Sequence, residues 1–193
     1  MLEEILDDQY PIQGTMKNGA PYTIRLLRSY DASLLYHFFS EIPRGDRLFF
    51  RDDVQDRGVV ENWCANINLD VAVPLIVEVG GDIVGEASLH REPRGWKSHI
   101  GRVRLVIHPN YRRQGLSLVL LREIIKIALH AGSLERLMAE CMETQIGAIR
   151  MFESAGFVPQ ATLEGHVRDI EGRSHNLTIL TYDLRDQEYF AAD

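Results

Sequence analysis

Cysteine is scarce in this chain. Only Cys64 and Cys141 occur among 193 residues, with no short spacing between them. That excludes a disulfide-stapled scaffold and a Cys–His zinc pattern, so no metal is expected. Long apolar runs are missing too. None approaches the roughly 18 residues that a membrane-spanning helix needs, and no membrane partner is expected. Positive charge is in deficit, with 21 Lys and Arg against 28 Asp and Glu, a formal net charge of −7. A net acidic chain makes a poor general binder of nucleic acid or anionic lipid and is compatible with a cationic substrate such as an amine. The first residues are acidic (Glu3, Glu4, Asp7, Asp8) and lack the basic and apolar regions of a secretory leader. A reducing, cytoplasmic setting is the expectation.

What is present describes one ordinary globular domain. Apolar residues make up 45% and charged residues 25% of the chain, enough for a normal core. Residues 1–20 are acidic and then turn-rich, and read as a surface extension with a short helix at Leu2–Leu6. Residues 186–193 read as a tail, leaving 21–185 as the domain. Strands are expected at Tyr22–Leu27, Pro74–Val79, Ile83–Leu89, Ser98–Ile107, Arg136–Cys141, Phe157–Leu163 and Asn176–Leu184. Helices are expected at Ala32–Glu41 (capped by Ser29 or Asp31), Val59–Asn68, Leu116–Ala131 and Ile146–Ala155. Gly80-Gly81-Asp82 is a tight hairpin turn. The order implies an α/β (α+β) fold, with a mixed central sheet of about seven strands flanked by helices on both faces. Residues 44–58 mix charge with Leu48, Phe49 and Phe50. They form either a solvated loop with an aromatic anchor or a loop that closes over a substrate.

The stretch from Arg104 to Ala131 carries the chemistry. A β-branched run ends at His108-Pro109-Asn110, passes Arg112-Arg113-Gln114-Gly115-Leu116-Ser117, and becomes a long apolar helix. The first N–H groups of a helix have no intrahelical acceptor and sit at the positive end of its dipole, so an anion settles there. Gly115 permits close backbone approach, and two arginines add charge at the mouth. The turn is either a phosphate cradle or a solvated strand-to-helix connection.

Two separated signatures decide between those readings. Val106-Ile107-His108-Pro109-Asn110-Tyr111-Arg112-Arg113-Gln114-Gly115-Leu116-Ser117 is the first. The second is Gln145-Ile146-Gly147-Ala148-Ile149-Arg150-Met151-Phe152-Glu153-Ser154-Ala155-Gly156-Phe157. In this order, across a strand–helix–strand–helix–strand, the chain resembles the GCN5-related N-acetyltransferase (GNAT) superfamily over Tyr22 to Leu184. The resemblance implies that two neighbouring strands, ending near Ile107 and Cys141, splay apart. The pantetheine arm of acetyl-CoA would enter the gap along Leu105, Val106 and Ile107. The pyrophosphate would rest on Arg112, Arg113, Gln114, Gly115, Leu116 and Ser117. Gln145, with Ala148 and Phe152 on the next helix, would complete the donor site. Gln145 stands where the family prefers Asn, and Ser117 where Gly or Ala is usual.

The same resemblance implies direct acetyl transfer to a primary amine, without metal or covalent enzyme intermediate. The acceptor could be a small amine, an amino acid, or a protein lysine or N-terminus, and a homodimer is one assembly open to the chain. Phe152 stands where a tyrosine commonly protonates the departing thiolate, and Phe cannot donate. The Glu that some members place early in the strand before the turn is absent near Gly101. Candidate bases are Glu86, His90 and His99, or a water chain. The oxyanion would be held by a backbone N–H near Val106. Glu164-Gly165-His166-Val167-Arg168-Asp169, with Gly172 and His175, resembles an acceptor-side hairpin, where Arg168 and His175 either orient substrate or tie the hairpin. The alternative function is an acyl-CoA-binding regulatory or sensor domain with weak or no catalysis.

Overall fold

The computed structural model describes residues 2–47, 50 and 52–185. The expected tail at 186–193, and Leu48 and Phe49 of the charged loop, lie outside the described residues. Among those described, eight strands form one sheet: β1 (Ile12–Thr15), β2 (Pro21–Leu26), β3 (Ala72–Val79), β4 (Asp82–His90), β5 (Ile100–Ile107), β6 (Arg136–Met142), β7 (Val158–Arg168) and β8 (Ser174–Asp183). Their spatial order is β1-β2-β3-β4-β5-β6-β8-β7. Every neighbouring pair is antiparallel except β5–β6. The helices are α1 (Leu2–Gln9), α2 (Ala32–Glu41), α3 (Arg44–Arg47), α4 (Arg57–Ala65), α5 (Leu116–His130) and α6 (Ile146–Ser154).

The seven strands and four main helices expected from the sequence are all present, and the sheet gains one. The addition comes from the first twenty residues, which do more than lie on the surface. Leu6, Tyr10 and Met16 are buried in the main core. The Tyr10 hydroxyl donates to Glu123 Oε2 at 3.1 Å, and Lys126 holds the other oxygen of that carboxylate at 2.7 Å. The segment is therefore tied to α5 by apolar burial and by a buried hydrogen bond, with β1 extending the sheet edge. Each large apolar side chain so buried is worth about 1.5–3 kcal/mol.

Two cores follow from the alternation of side chains across the sheet. One face packs against α1, α5 and α6 through residues such as Leu75, Leu120, Ile124 and Phe152. The other packs against α2 and α4 through Leu35, Phe38, Val60 and Ile76. The α5 helix is apolar on most of its circumference because it lies across the sheet; Leu120, Leu121, Ile124 and Ile127 are fully buried. The β3–β4 hairpin turns at Gly80 (φ 64°) and Gly81 (φ 96°), the left-handed pair that a two-residue hairpin demands.

One expected cap is different. Asp31 stands before α2 but makes no side-chain cap hydrogen bond to it. Its carboxylate is taken by both terminal nitrogens of Arg25, at 2.7 and 2.8 Å, and by the Arg28 amide at 2.8 Å. Arg25 also bridges to Glu78 on the next strand at 2.7 Å. A charge-assisted bidentate pair is stronger than a helix cap, so the tertiary partner wins. This network locks the β2–α2 connection behind the wall of the cleft described next.

Candidate functional site

The cleft begins where β5 and β6 part. They pair only over Ile100–Arg102 and Arg136–Met138. Beyond those three rungs β5 continues to Ile107 and β6 to Met142 without facing each other. A cavity of 880 Å³ opens there, lined among others by Leu105 and Val106 from β5, Cys141 and Met142 from β6, and Gln145 and Phe152 from α6.

Backbone parity says which groups of β5 face the gap. The His108 amide donates to the Val84 carbonyl, on the β4 side. The His99 carbonyl accepts from Glu135 and Arg136, on the β6 side. Alternation along a strand in regular register then turns the polar groups of 102, 104 and 106 toward β4 and those of 103, 105 and 107 toward the gap. Leu105 thus presents its main-chain N–H and C=O to the cleft, and Ile107 its N–H, as a guest strand would require. The Val106 amide is committed to its pair with Glu86, so the amides nearest it that face the gap are those of Leu105 and Ile107. The Ile107 side chain is buried, and its carbonyl accepts from Arg112 Nε at 3.2 Å.

At the open end of the gap the chain makes the turn read as a phosphate cradle. His108 Nδ1 accepts from the Asn110 amide and closes a short 3-10 turn over Pro109–Tyr111. Arg113 (φ 62°) and Gly115 (φ 92°) are then left-handed, which curls successive N–H groups inward. Among the described residues no loop hydrogen bond uses the amides of Arg113, Gln114 or Gly115. The amides of Leu116 and Ser117 open α5 and have no intrahelical acceptor. Arg112 is held beside this nest by Asp46 Oδ2 at 2.8 Å. Gln114 is held by the N-terminal segment: its carbonyl accepts from the Lys17 amide, and its Oε1 from the Asn18 amide at 3.1 Å. This docking brings Lys17 Cε within 3.9 Å of where a β-carbon on Gly115 would stand. Neither Lys17 nor Asp46 was legible as part of the turn, because each arrives from a distant segment.

The cleft floor carries the titratable groups. Glu86, Ser88 and His90 alternate along β4 and share one face, with His90 Nε2 3.1 Å from Ser88 Oγ. Register sets Val106, Arg104 and Arg102 of β5 beside them. Burial pushes the Glu86 carboxyl up from 4.5 to about 7, against the hydrogen bond of Ser88 and the charge of Arg104, which pull it down. Arg104 lies 3.8 Å from Asp52. His99 is elsewhere: it precedes β5 at the closed end, where the strands pair, and does not line the cleft. Gln145 does line the cleft, but its Oε1 is turned back to accept from the Met142 amide at 2.9 Å, leaving its NH₂ as the group able to donate. Ala148 lines the same wall. Phe152 is buried, in edge contact with Phe157 at 5.0 Å between ring centres. Cys141 borders the gap, but burial, aided by Glu140, pushes its thiol up to about 11. Only about one in 10⁴ such thiols is ionised at neutral pH, so it is a poor nucleophile.

The final hairpin divides the two roles expected of it. His175 and Arg173 both bind the buried Asp169, at 2.9 and 2.8 Å. Burial alone would raise the Asp169 carboxyl, but these partners and the amides of Arg173 and Glu171 hold it far below the usual range. His175 therefore ties the hairpin. Arg168 instead borders the cleft.

Comparison with known proteins bears on the fold and the family. The profile described as the acetyltransferase (GNAT) family matches residues 34–157, more than half of the chain. Among solved structures, a ribosomal-protein-S5-alanine acetyltransferase from Vibrio fischeri superposes with a TM-score of 0.77 at 16% identity, covering 91% of this chain and 98% of that one. An acetyltransferase of the GNAT family from Streptococcus pneumoniae gives a TM-score of 0.68 at 24% identity, covering 84% and 99%. yncA from Salmonella typhimurium, solved with its cofactor acetyl-CoA, gives 0.72 at 21%, covering 84% and 94%.

Proposed function

Because the chain belongs to the GNAT acetyltransferase family, we propose that it is an acetyl-CoA-dependent N-acetyltransferase that transfers acetyl directly to a primary amine. The observation that carries this reading is the wedge between β5 and β6. Its unpaired main-chain edge suits the amide-bearing pantetheine arm. Its open end is a nest of unused N–H groups at a helix start, which suits the pyrophosphate. Lys17 and Arg113 add positive charge there, while Gln145 donates from the opposite wall.

In the reaction the amine nitrogen attacks the thioester carbonyl carbon. The oxyanion is stabilised by a gap-facing amide of β5, Leu105 or Ile107. The C–S bond then breaks, the acetyl group stays on nitrogen, and CoA leaves as thiolate. Glu86 receives the proton that the amine loses, directly or through water. A carboxyl near 7 is half ionised at neutral pH and so has both the capacity and the basicity for that role. Phe152 packs the thioester and supplies no proton. The thiolate, whose conjugate acid has an ordinary pKa of about 8.5, is a fair leaving group that water can protonate. Cys141 is too weakly ionised to take the acetyl group first, which favours a ternary complex over a covalent enzyme intermediate.

The test is release of CoA thiol from acetyl-CoA with a panel of amines, amino acids, peptides and a lysine-rich protein, with product mass followed in parallel. One-for-one thiol and N-acetylated product is the expected result. Tight acetyl-CoA binding with no product from any acceptor would overturn the enzyme and leave the acyl-CoA sensor, which the absence of an acid at Phe152 would then explain.

A further inference from the structure

The acceptor half of the cleft holds an arginine that has no partner among the described residues. Arg102 lies in the wall, its Nε is buried, and no hydrogen bond satisfies it. Among the described residues no side-chain hydrogen bond or ion pair involves Arg102. Leaving a buried donor of a charged group unsatisfied is costly, so such a group commonly awaits a ligand.

Its surroundings indicate what that ligand is. Arg102 and Arg104 point to the same side of β5, next to His90 and Ser88 and in line with Glu86. Arg104 is partly neutralised by Asp52 at 3.8 Å. Asp52, Glu86 and Glu140 border the cavity, as do Arg102, Arg104 and Arg168, so its formal charges balance, but among the described residues no carboxylate pairs with Arg102. Successive rungs on one face are about 6.6–6.8 Å apart, so Arg102 stands two steps, about 13 Å, from the Glu86–Val106 rung. The arginine stem can cover about half of that distance. Phe39, Phe50 and Trp63, with apolar residues of α2, form the opposite wall. A planar guanidinium matches a carboxylate in a bidentate way.

Resting on the acetyl-transfer reading, we propose that the acceptor is an amino acid whose carboxylate docks on Arg102, with its amine toward Glu86 and its side chain against the aromatic wall. Polyamines and other purely cationic amines lack the group that this arginine needs.

The test compares free amino acids with their amides and decarboxylated amines, scored per unit of unprotonated amine, in wild type, Arg102→Ala and Arg102→Lys. Wild type is expected to favour the acids about a hundredfold in kcat/KM, through KM rather than kcat. In Arg102→Ala that preference falls to near one, and Arg102→Lys restores part of it. Equal use of acids and amides by wild type, or an unchanged preference in Arg102→Ala, would overturn the proposal. In parallel, the same amino acids are titrated calorimetrically into each protein saturated with CoA. Heat that depends on Arg102 supports the carboxylate site even if no acceptor is acetylated, and its absence counts against the site. Turnover of amides or polyamines without turnover of amino acids would leave acetyl transfer standing and remove this inference alone.

Discussion

Replacing Glu86 by Gln keeps the shape of the side chain and removes its ability to accept a proton. General-base assistance contributes roughly 10²–10⁴ in rate, so kcat/KM should fall at least a hundredfold at pH 8. The pH dependence is more telling than the size of the loss. With the carboxyl at about 7, roughly 10% is ionised at pH 6 and roughly 90% at pH 8, whereas at its ordinary 4.5 it would be ionised at both. The ratio of wild-type to variant kcat/KM cancels ionisation of the amine. That ratio should rise about tenfold between pH 6 and 8, with its midpoint near 7. Stability moves in the opposite direction. A carboxyl whose folded pKa lies above its unfolded value destabilises the fold as pH rises from 4.5 to 7. The Gln variant does not titrate, so at pH 8 it should be the more stable protein, by up to about 3 kcal/mol, and the difference should close below pH 5. Stopped assays across pH 5.5–8.5 and melting curves at pH 5 and 8 read both effects. A rate ratio that is flat with pH, or a variant as active as wild type, would refute Glu86 as the base.

Three further outcomes follow from other parts of the structure. Gly115→Glu puts a side chain on a left-handed residue (φ 92°) and a carboxylate where phosphate should sit, so acetyl-CoA affinity measured by calorimetry should fall at least a hundredfold. Phe152→Tyr should change turnover by less than about tenfold, since water can protonate the thiolate; a hundredfold gain would mean that a missing acid limits the reaction. Arg25→Ala leaves the buried Asp31 carboxylate without its bidentate partner and should lower unfolding free energy in urea by about 3–5 kcal/mol, with acetyl-CoA affinity much less affected.

The placement of the candidate donor half was largely legible in the sequence. It is built from contiguous segments, Leu105–Ser117 and Gln145–Phe157, whose strand-to-helix turns are local events set by Pro109, Gly115 and the apolar period of α5. What the sequence hid is what distant segments bring. The strand Ile12–Thr15 is four residues long and contains Gly14, so it has little strand signal of its own; pairing with β2 creates it. Lys17 and Asp46 reach the Arg112–Ser117 turn only through tertiary packing. Asp31 has the chemistry of a helix cap, but Arg25, six residues before it, claims its carboxylate, a competition that cap preference alone does not resolve. His99 looked equivalent to Glu86 as a candidate because a strand pattern alone does not say which end of β5 opens. The acceptor wall is an intermediate case. Glu86, Ser88 and His90 are polar at every second position of an otherwise buried strand, and Arg102 and Arg104 repeat that spacing on the next. The period-two pattern was present, but only the β4–β5 register shows that the two polar rows share one face.

Amide hydrogen exchange along β5, with and without acetyl-CoA, tests the wedge itself. If the pantetheine arm adds to the open edge of the strand, acetyl-CoA should slow exchange of the gap-facing Leu105 and Ile107 amides. The Val106 amide, already paired with β4, should change little. Saturating acetyl-CoA that leaves Leu105 and Ile107 unprotected would contradict the account, because the donor would then be bound somewhere other than between β5 and β6.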